Sequence, residues 1–145
     1  MPELPEVETV VRSLAPHLPG RRIVSAEFTS QHVTPGNRKT LAARLAGRVI
    51  RSVRRRGKFI VIALDKGSLT VHLGMTGKLL LNVDAPGKHA YGIFHLDEGV
   101  LIYDDPRQFG GIAWNASPNK GLEHLGPEPL EIGVEEFTAR LKTRK

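Results

Sequence analysis

The residue with the most unusual chemistry is the second. Pro2 follows the initiator Met, and removal of Met1 leaves it with a free secondary amine. With Met1 attached, the same nitrogen is an amide and attacks nothing. α-Amino groups titrate at about 8, so a free Pro2 is a nucleophile near neutral pH. Attack on an aldehyde-like carbon gives an iminium, an electron sink that favours elimination. Glu3 and Glu6 stand beside it, spaced for one helical face. Carboxylates there could shuttle protons or steady a sugar cation. The same residues also read as a helix start: Pro suits a first turn, and acidic side chains suit the positive end of the dipole.

A second concentration of chemistry is electrostatic. No acidic residue occurs between Glu27 and Asp65, while Arg38, Lys39, Arg44, Arg48, Arg51, Arg54, Arg55, Arg56 and Lys58 all do. One reading is a solvated basic face. The other is a phosphate-binding groove favoured by counterion release. In that reading Arg54-Arg-Arg-Gly-Lys58 presents several donors at a strand entry, and Gly57 allows close approach.

These residues need elements to hold them. Leu4, Val7, Val10, Val11 and Leu14 follow amphipathic helical spacing and predict a helix over 3–15. Arg22–Phe28 reads as a strand. The loop Thr34-Pro-Gly-Asn37 leads to a second helix near 40–46, stopped by Gly47. Strands follow at 49–55, 59–64, 69–73, 79–83, 89–96, 100–103 and 112–115, with hairpin turns at 65–68 and 97–99. The pattern predicts a mainly β (α+β) fold, an antiparallel β-sandwich flanked by two helices.

Composition narrows the class. A chain of 145 residues with 40% hydrophobic residues can form one packed domain. It has no Cys, so disulfides, cysteine zinc sites and thiol catalysis have no residues here. The net charge of +6 points to a polyanionic partner. Few aromatic residues argue against a single-strand binder built on stacking. No apolar run is long enough to span a membrane, and the acidic start does not resemble a signal peptide. The expectation is a cytoplasmic protein.

Five stretches carry a family resemblance: Met1-Pro-Glu-Leu-Pro-Glu-Val-Glu-Thr9, Arg55-Arg-Gly-Lys-Phe59, His72-Leu-Gly-Met-Thr-Gly77, Asp105-Pro-Arg-Gln-Phe-Gly110 and Leu125-Gly-Pro-Glu-Pro-Leu130. In this order they resemble the formamidopyrimidine-DNA glycosylases, bifunctional base-excision enzymes for oxidised purines such as 8-oxoguanine. The resemblance implies that Pro2 attacks the sugar C1′, that Glu3 assists base loss and ring opening, and that Glu6 is a second acidic residue of the site. It implies a phosphate clamp at Lys58, counted with Pro2, Glu3 and Glu6 among the catalytic residues, and another at His72, with Arg55 and Arg56 also on DNA. Met75, Arg107 and Phe109 would fill the vacated stack, Arg107 pairing with the orphaned base. Such a plug offsets the unstacking cost of base flipping. Each residue also has a plainer reading: His72 as a partly buried strand histidine, Met75 as a core filler, Arg107 as a turn residue and Phe109 as core.

The resemblance further implies a damaged double-stranded DNA partner, a monomer, and a bacterial, nucleoid-associated role. It implies no cofactor or metal within this chain; full-length relatives hold one zinc in a second domain, on a four-cysteine finger. A catalytic domain at 1–130 and the start of a linker helix at 131–145 are expected, so the chain reads as truncated, better equipped for lyase chemistry than for excision. Three alternatives stay open. One is an endonuclease VIII-type glycosylase for oxidised pyrimidines, which does not usually carry the Met, Arg and Phe set. Another is a non-catalytic basic DNA-binding sandwich. The third is an inert fragment that aggregates through exposed apolar surface.

Overall fold

The computed structural model describes residues 4–83 and 85–116. Over them the chain forms α1 (Leu4–Leu14), β1 (Ile23–Phe28), α2 (Arg38–Leu45), β2 (Ile50–Arg56), β3 (Phe59–Leu64), β4 (Ser68–His72), β5 (Lys78–Leu81), β6 (Ala90–Leu96), β7 (Val100–Asp104) and β8 (Gly111–Asn115). The strands build two four-stranded sheets in the orders β1-β6-β7-β5 and β2-β3-β4-β8. All neighbouring strands are antiparallel. The two-helix antiparallel architecture expected from the sequence is the one observed. The motif at 125–130, the helical run at 135–145 and the expected boundary between 130 and 131 lie outside the described residues.

Local chemistry explains the elements. In α1, Val7, Val11 and Leu14 are buried at the expected helical spacing, and the helix packs on β2 and β3. Helix α2 begins at Arg38, two residues earlier than the spacing suggested. The reason is Asn37, read from sequence as loop: its side chain accepts from Thr40 N at 2.9 Å and caps the helix. β3 is buried along its whole length, as its unbroken apolar run requires.

One hydrophobic cluster joins α1, the end of α2 and both sheets. Phe28 and Phe94 meet edge to face within it, centroids 5.5 Å apart. The sheets also join at a corner, where Ile23 N donates to Arg48 O and Ile50 N donates to Arg21 O, each at 2.8 Å. Among the described residues no helix is long and apolar enough to cross a membrane.

Candidate functional site

The site residues gather at one end of the β2-β3-β4-β8 sheet. β2 turns into β3 through Gly57-Lys58, because Arg56 pairs directly with Phe59. Gly57 takes φ +62, the backbone a type II′ hairpin turn gives to its first residue. The sequence reading had treated this stretch as a strand entry; it is a tight hairpin that lifts Lys58 to the sheet's end. The same transverse row continues from Phe59 to His72 and from His72 to Gly111. The Phe59 and His72 rings stand 5.4 Å apart. His72 is 5% exposed. Its imidazole is pushed down from 6.5 to about 4, first by burial and then by nearby positive charge that includes Lys58. It is therefore neutral at physiological pH, and any phosphate contact it makes is a hydrogen bond rather than an ion pair.

Helix α1 is tied to this end of the sheet. Arg55 Nε donates to Glu8 Oε1 at 2.8 Å, and Arg55 Nη1 donates to the Gly57 carbonyl at 3.1 Å. Glu8 also takes Arg12 Nε at 3.1 Å. The two guanidiniums, Arg55 foremost, hold the Glu8 carboxyl below its ordinary value. Arg55 thus braces the first turns of α1 against the Lys58 hairpin. Glu6 is exposed in the first turn of the helix. Pro2 and Glu3 lie outside the described residues.

Two loops complete the site. Loop 73–77 follows β4, and loop 105–110 joins β7 to β8. They touch through backbone: Gly74 has φ +65, and a Cβ there would lie 2.5 Å from Gly110 N and 2.7 Å from the Phe109 carbonyl carbon. Only glycine permits that approach. The contact brings together Met75, 57% exposed, and Phe109, 52% exposed. Arg107 is exposed beside them, its guanidinium carbon 4.7 Å from the Phe109 ring centre. Exposed large apolar side chains are few among the described residues: these two and Val24. Met75 and Phe109 are therefore not core fillers.

The hub of these loops is a residue to which the sequence reading gave no role. Asp105 is fully buried. Its Oδ1 accepts from Thr76 Oγ1 at 2.6 Å and Gln108 N at 3.0 Å. Its Oδ2 accepts from Tyr103 Oη and Gly110 N, both at 2.9 Å. Thr76 Oγ1 in turn accepts from Arg107 N at 3.2 Å. The Tyr103 hydroxyl also lies 3.2 Å from the His72 carbonyl. Burial, and then Asp105, pushes the Tyr103 hydroxyl far up, so it stays a proton donor. An Asp before Pro reads from sequence as a turn residue; the one available signal was its place in the quoted motif.

The basic stretch does not act as one block. Arg48 lies 3.7 Å from Asp65, Arg55 is paired with Glu8, and Arg44 lies over the Trp114 ring at 4.5 Å. Arg51 and Arg54 are exposed along β2, whereas Arg56 is half-buried in the His72 row and Lys58 half-buried in the adjoining hairpin. Among the described residues no three His, Cys, Asp or Glu side chains form a metal-binding group. With no cysteine in the chain, a four-cysteine finger has no ligands here.

Comparison with known proteins agrees with this geometry. The formamidopyrimidine-DNA glycosylase of Solibacter usitatus is 54% identical over all of this chain and 55% of its own length. That of Acidithiobacillus ferrooxidans is 42% identical over all of this chain and 56% of its own. The chain thus spans about half the length of the curated relatives it matches. Among solved structures, Lactococcus lactis Fpg (MutM) bound to FAPY-dG-containing DNA superposes with a TM-score of 0.76 at 36% identity, covering 85% of this chain and 48% of that one. MutM in complex with DNA containing carbocyclic 8-oxo-G gives 0.77 at 36% identity, covering 86% and 48%. Residues 1–112 match the sequence model of the formamidopyrimidine-DNA glycosylase N-terminal domain, and with the fold and these relatives in agreement, the chain belongs to that family.

Proposed function

We propose that this chain carries the active site of a base-excision DNA glycosylase/AP lyase that removes oxidised purines, 8-oxoguanine and formamidopyrimidines, from double-stranded DNA. Residues 1–130 are its catalytic domain, and it works as a cytoplasmic monomer. After Met1 is removed, the Pro2 amine attacks C1′ and the bond to the damaged base breaks. Glu3 gives its proton to the opening sugar ring, and Glu6 supports it. The resulting iminium draws electrons from the C2′–H bond; loss of that proton expels the 3′ phosphate. Lys58 and His72 hold phosphates of the flipped nucleotide, with Arg55 and Arg56 behind them. Met75 and Phe109 fill the gap in the stack while Arg107 meets the widowed base.

The observation that carries this reading is the exposed Met75, Arg107 and Phe109 set on two interlocked loops beside the row that holds His72 and the hairpin that holds Lys58. Exposed apolar side chains held on rigid backbone suit insertion between bases. The relatives solved with FAPY-dG and 8-oxo-G DNA favour the purine branch.

The test is borohydride trapping on duplex DNA carrying an abasic site. The chain lacking Met1 should form a reducible adduct, and a Met1-retaining form should not. Equal trapping by both would show that a lysine, not Pro2, does the chemistry. No adduct with either, despite binding that falls steeply with salt, would leave a non-catalytic DNA-binding sandwich.

A further inference from the structure

We propose that Asp105 and Thr76 are positioning residues for the stack-filling set: they fix Met75, Arg107 and Phe109 at one spacing and couple them to the backbone at His72. This inference rests on the function proposed above and adds to it two residues that touch no DNA.

Four donors from three segments converge on one buried carboxylate. Thr76 comes from the Met75 loop, Gln108 and Gly110 N–H groups from the Arg107 loop, and Tyr103 from β7. The two N–H groups flank Phe109, and Gln108 is held at φ +56. Thr76 closes the circuit, since its hydroxyl donates to Asp105 and accepts from the Arg107 N–H. Every functional side chain of the two loops is thus within one residue of a bond to this network. Gln108 is held a second time from outside, because Ser30 Oγ donates to its side-chain oxygen.

The network has no slack. Asp105 is inaccessible to solvent, so water cannot replace a lost partner, and a donor left without its acceptor keeps its full desolvation cost. A Cβ at Gly110 would collide with the Tyr103 hydroxyl and the His72 carbonyl, so the loop cannot retreat into the sheet. Side chains that enter a base stack gain most when their spacing is set beforehand. Asp105 and Thr76 supply that spacing through main-chain bonds while leaving the inserted side chains unencumbered.

The experiment uses the whole chain lacking Met1 and a duplex carrying a tetrahydrofuran abasic analogue opposite 2-aminopurine. The fluorescence of 2-aminopurine reads whether protein groups enter the gap. Borohydride trapping on a single-stranded abasic oligonucleotide, which has no stack to fill, reads the chemistry separately. Thr76→Val keeps the shape and loses the hydroxyl; Thr76→Ser keeps the hydroxyl. Asp105→Asn puts an NH2 among donors.

Thr76→Val and Asp105→Asn should each weaken duplex binding about tenfold and lose the fluorescence change. Thr76→Ser should restore both, and single-strand trapping should stay near wild type throughout. A wild-type fluorescence change in Thr76→Val overturns the proposal, as does a Thr76→Ser variant no better than Thr76→Val. Loss of single-strand trapping in the folded Thr76→Val variant also overturns it, because the effect would then be on the whole site. If Asp105→Asn does not melt cooperatively, the Thr76 pair decides. A wild-type chain that traps no abasic DNA and gives no fluorescence change overturns the functional reading, and this inference with it.

Discussion

The guanidinium of Arg107 rests 4.7 Å from the centre of the Phe109 ring, and both side chains stand out from the protein. A cation over an aromatic face at an exposed site contributes roughly 0.5–1 kcal/mol. That is enough to bias the pair towards one arrangement and too little to bury either member. The two side chains are pre-arranged and still free to part, which suits one to enter a base stack while the other turns to a base edge.

Phe109→Ala should therefore leave stability within about 0.5 kcal/mol of wild type, as for an exposed residue, while reducing affinity for abasic duplex roughly tenfold. Thermal unfolding and a binding titration check the two halves. A matched loss for undamaged duplex would show that Phe109 contacts DNA without filling a gap.

His72 should titrate near 4 by NMR. The unfolded imidazole takes up its proton below about 6.5 while the folded one does not until about 4. Between those values the unfolded state binds more protons, so stability falls as pH drops through that window and levels off below it. The loss is on the order of 3 kcal/mol at most. His72→Gln should flatten this slope. A neutral His72 also means that His72→Gln leaves the salt dependence of DNA binding unchanged, whereas Lys58→Met lowers its slope by about one.

The Glu8–Arg55 brace predicts a split between binding and chemistry. Glu8→Gln should slow adduct formation roughly tenfold, because α1 is then less firmly set against the Lys58 hairpin, with duplex affinity little changed. The Glu8 carboxyl is held below 4.5 in the fold. Its contribution is therefore present above that pH and is lost as pH falls further. Rapid-quench trapping set beside equilibrium binding would show whether the two move apart.

Gly74→Ala should destabilise the protein by about 2–4 kcal/mol. The new methyl meets main chain at 2.5 Å, and the φ of +65 is strained for any residue with a Cβ. Chemical denaturation measures this directly. A loss under about 0.5 kcal/mol would mean that the two loops are separable.

How far these features were legible depends on where their partners sit in the chain. The continuous run Phe59–Leu64 dictates a strand buried on both faces, and it is one. Asn37 announced a loop because a helix cap and a loop residue look alike until the N–H three residues on is seen to reach back. The cations from Arg38 to Lys58 read as a single block. Strand alternation and two carboxylates outside the stretch divide them: Glu8, 47 residues upstream, pairs with Arg55, and Asp65 stands 3.7 Å from Arg48. The resemblance gave roles to acidic, basic and apolar residues of the site; Asp105 stood in one of its motifs with no role attached. Its inward direction depends on how the loop folds back to bring Tyr103, Gln108 and Gly110 onto it and on Thr76, 29 residues upstream, and residue types alone do not show that.

The contact of Gly74 with the Phe109–Gly110 backbone separates two tasks that most binding loops combine. The spacing of the loops is written in main chain and glycine, while the side chains at 75, 107 and 109 carry what the proposed function would present to DNA. Under the proposed function, substitutions at those three positions could explore new base partners without reopening the problem of folding, an interchangeable head on a fixed mount. On that reading, opposite-base preference would be a property open to change at Arg107 alone, provided that position 74 stays glycine.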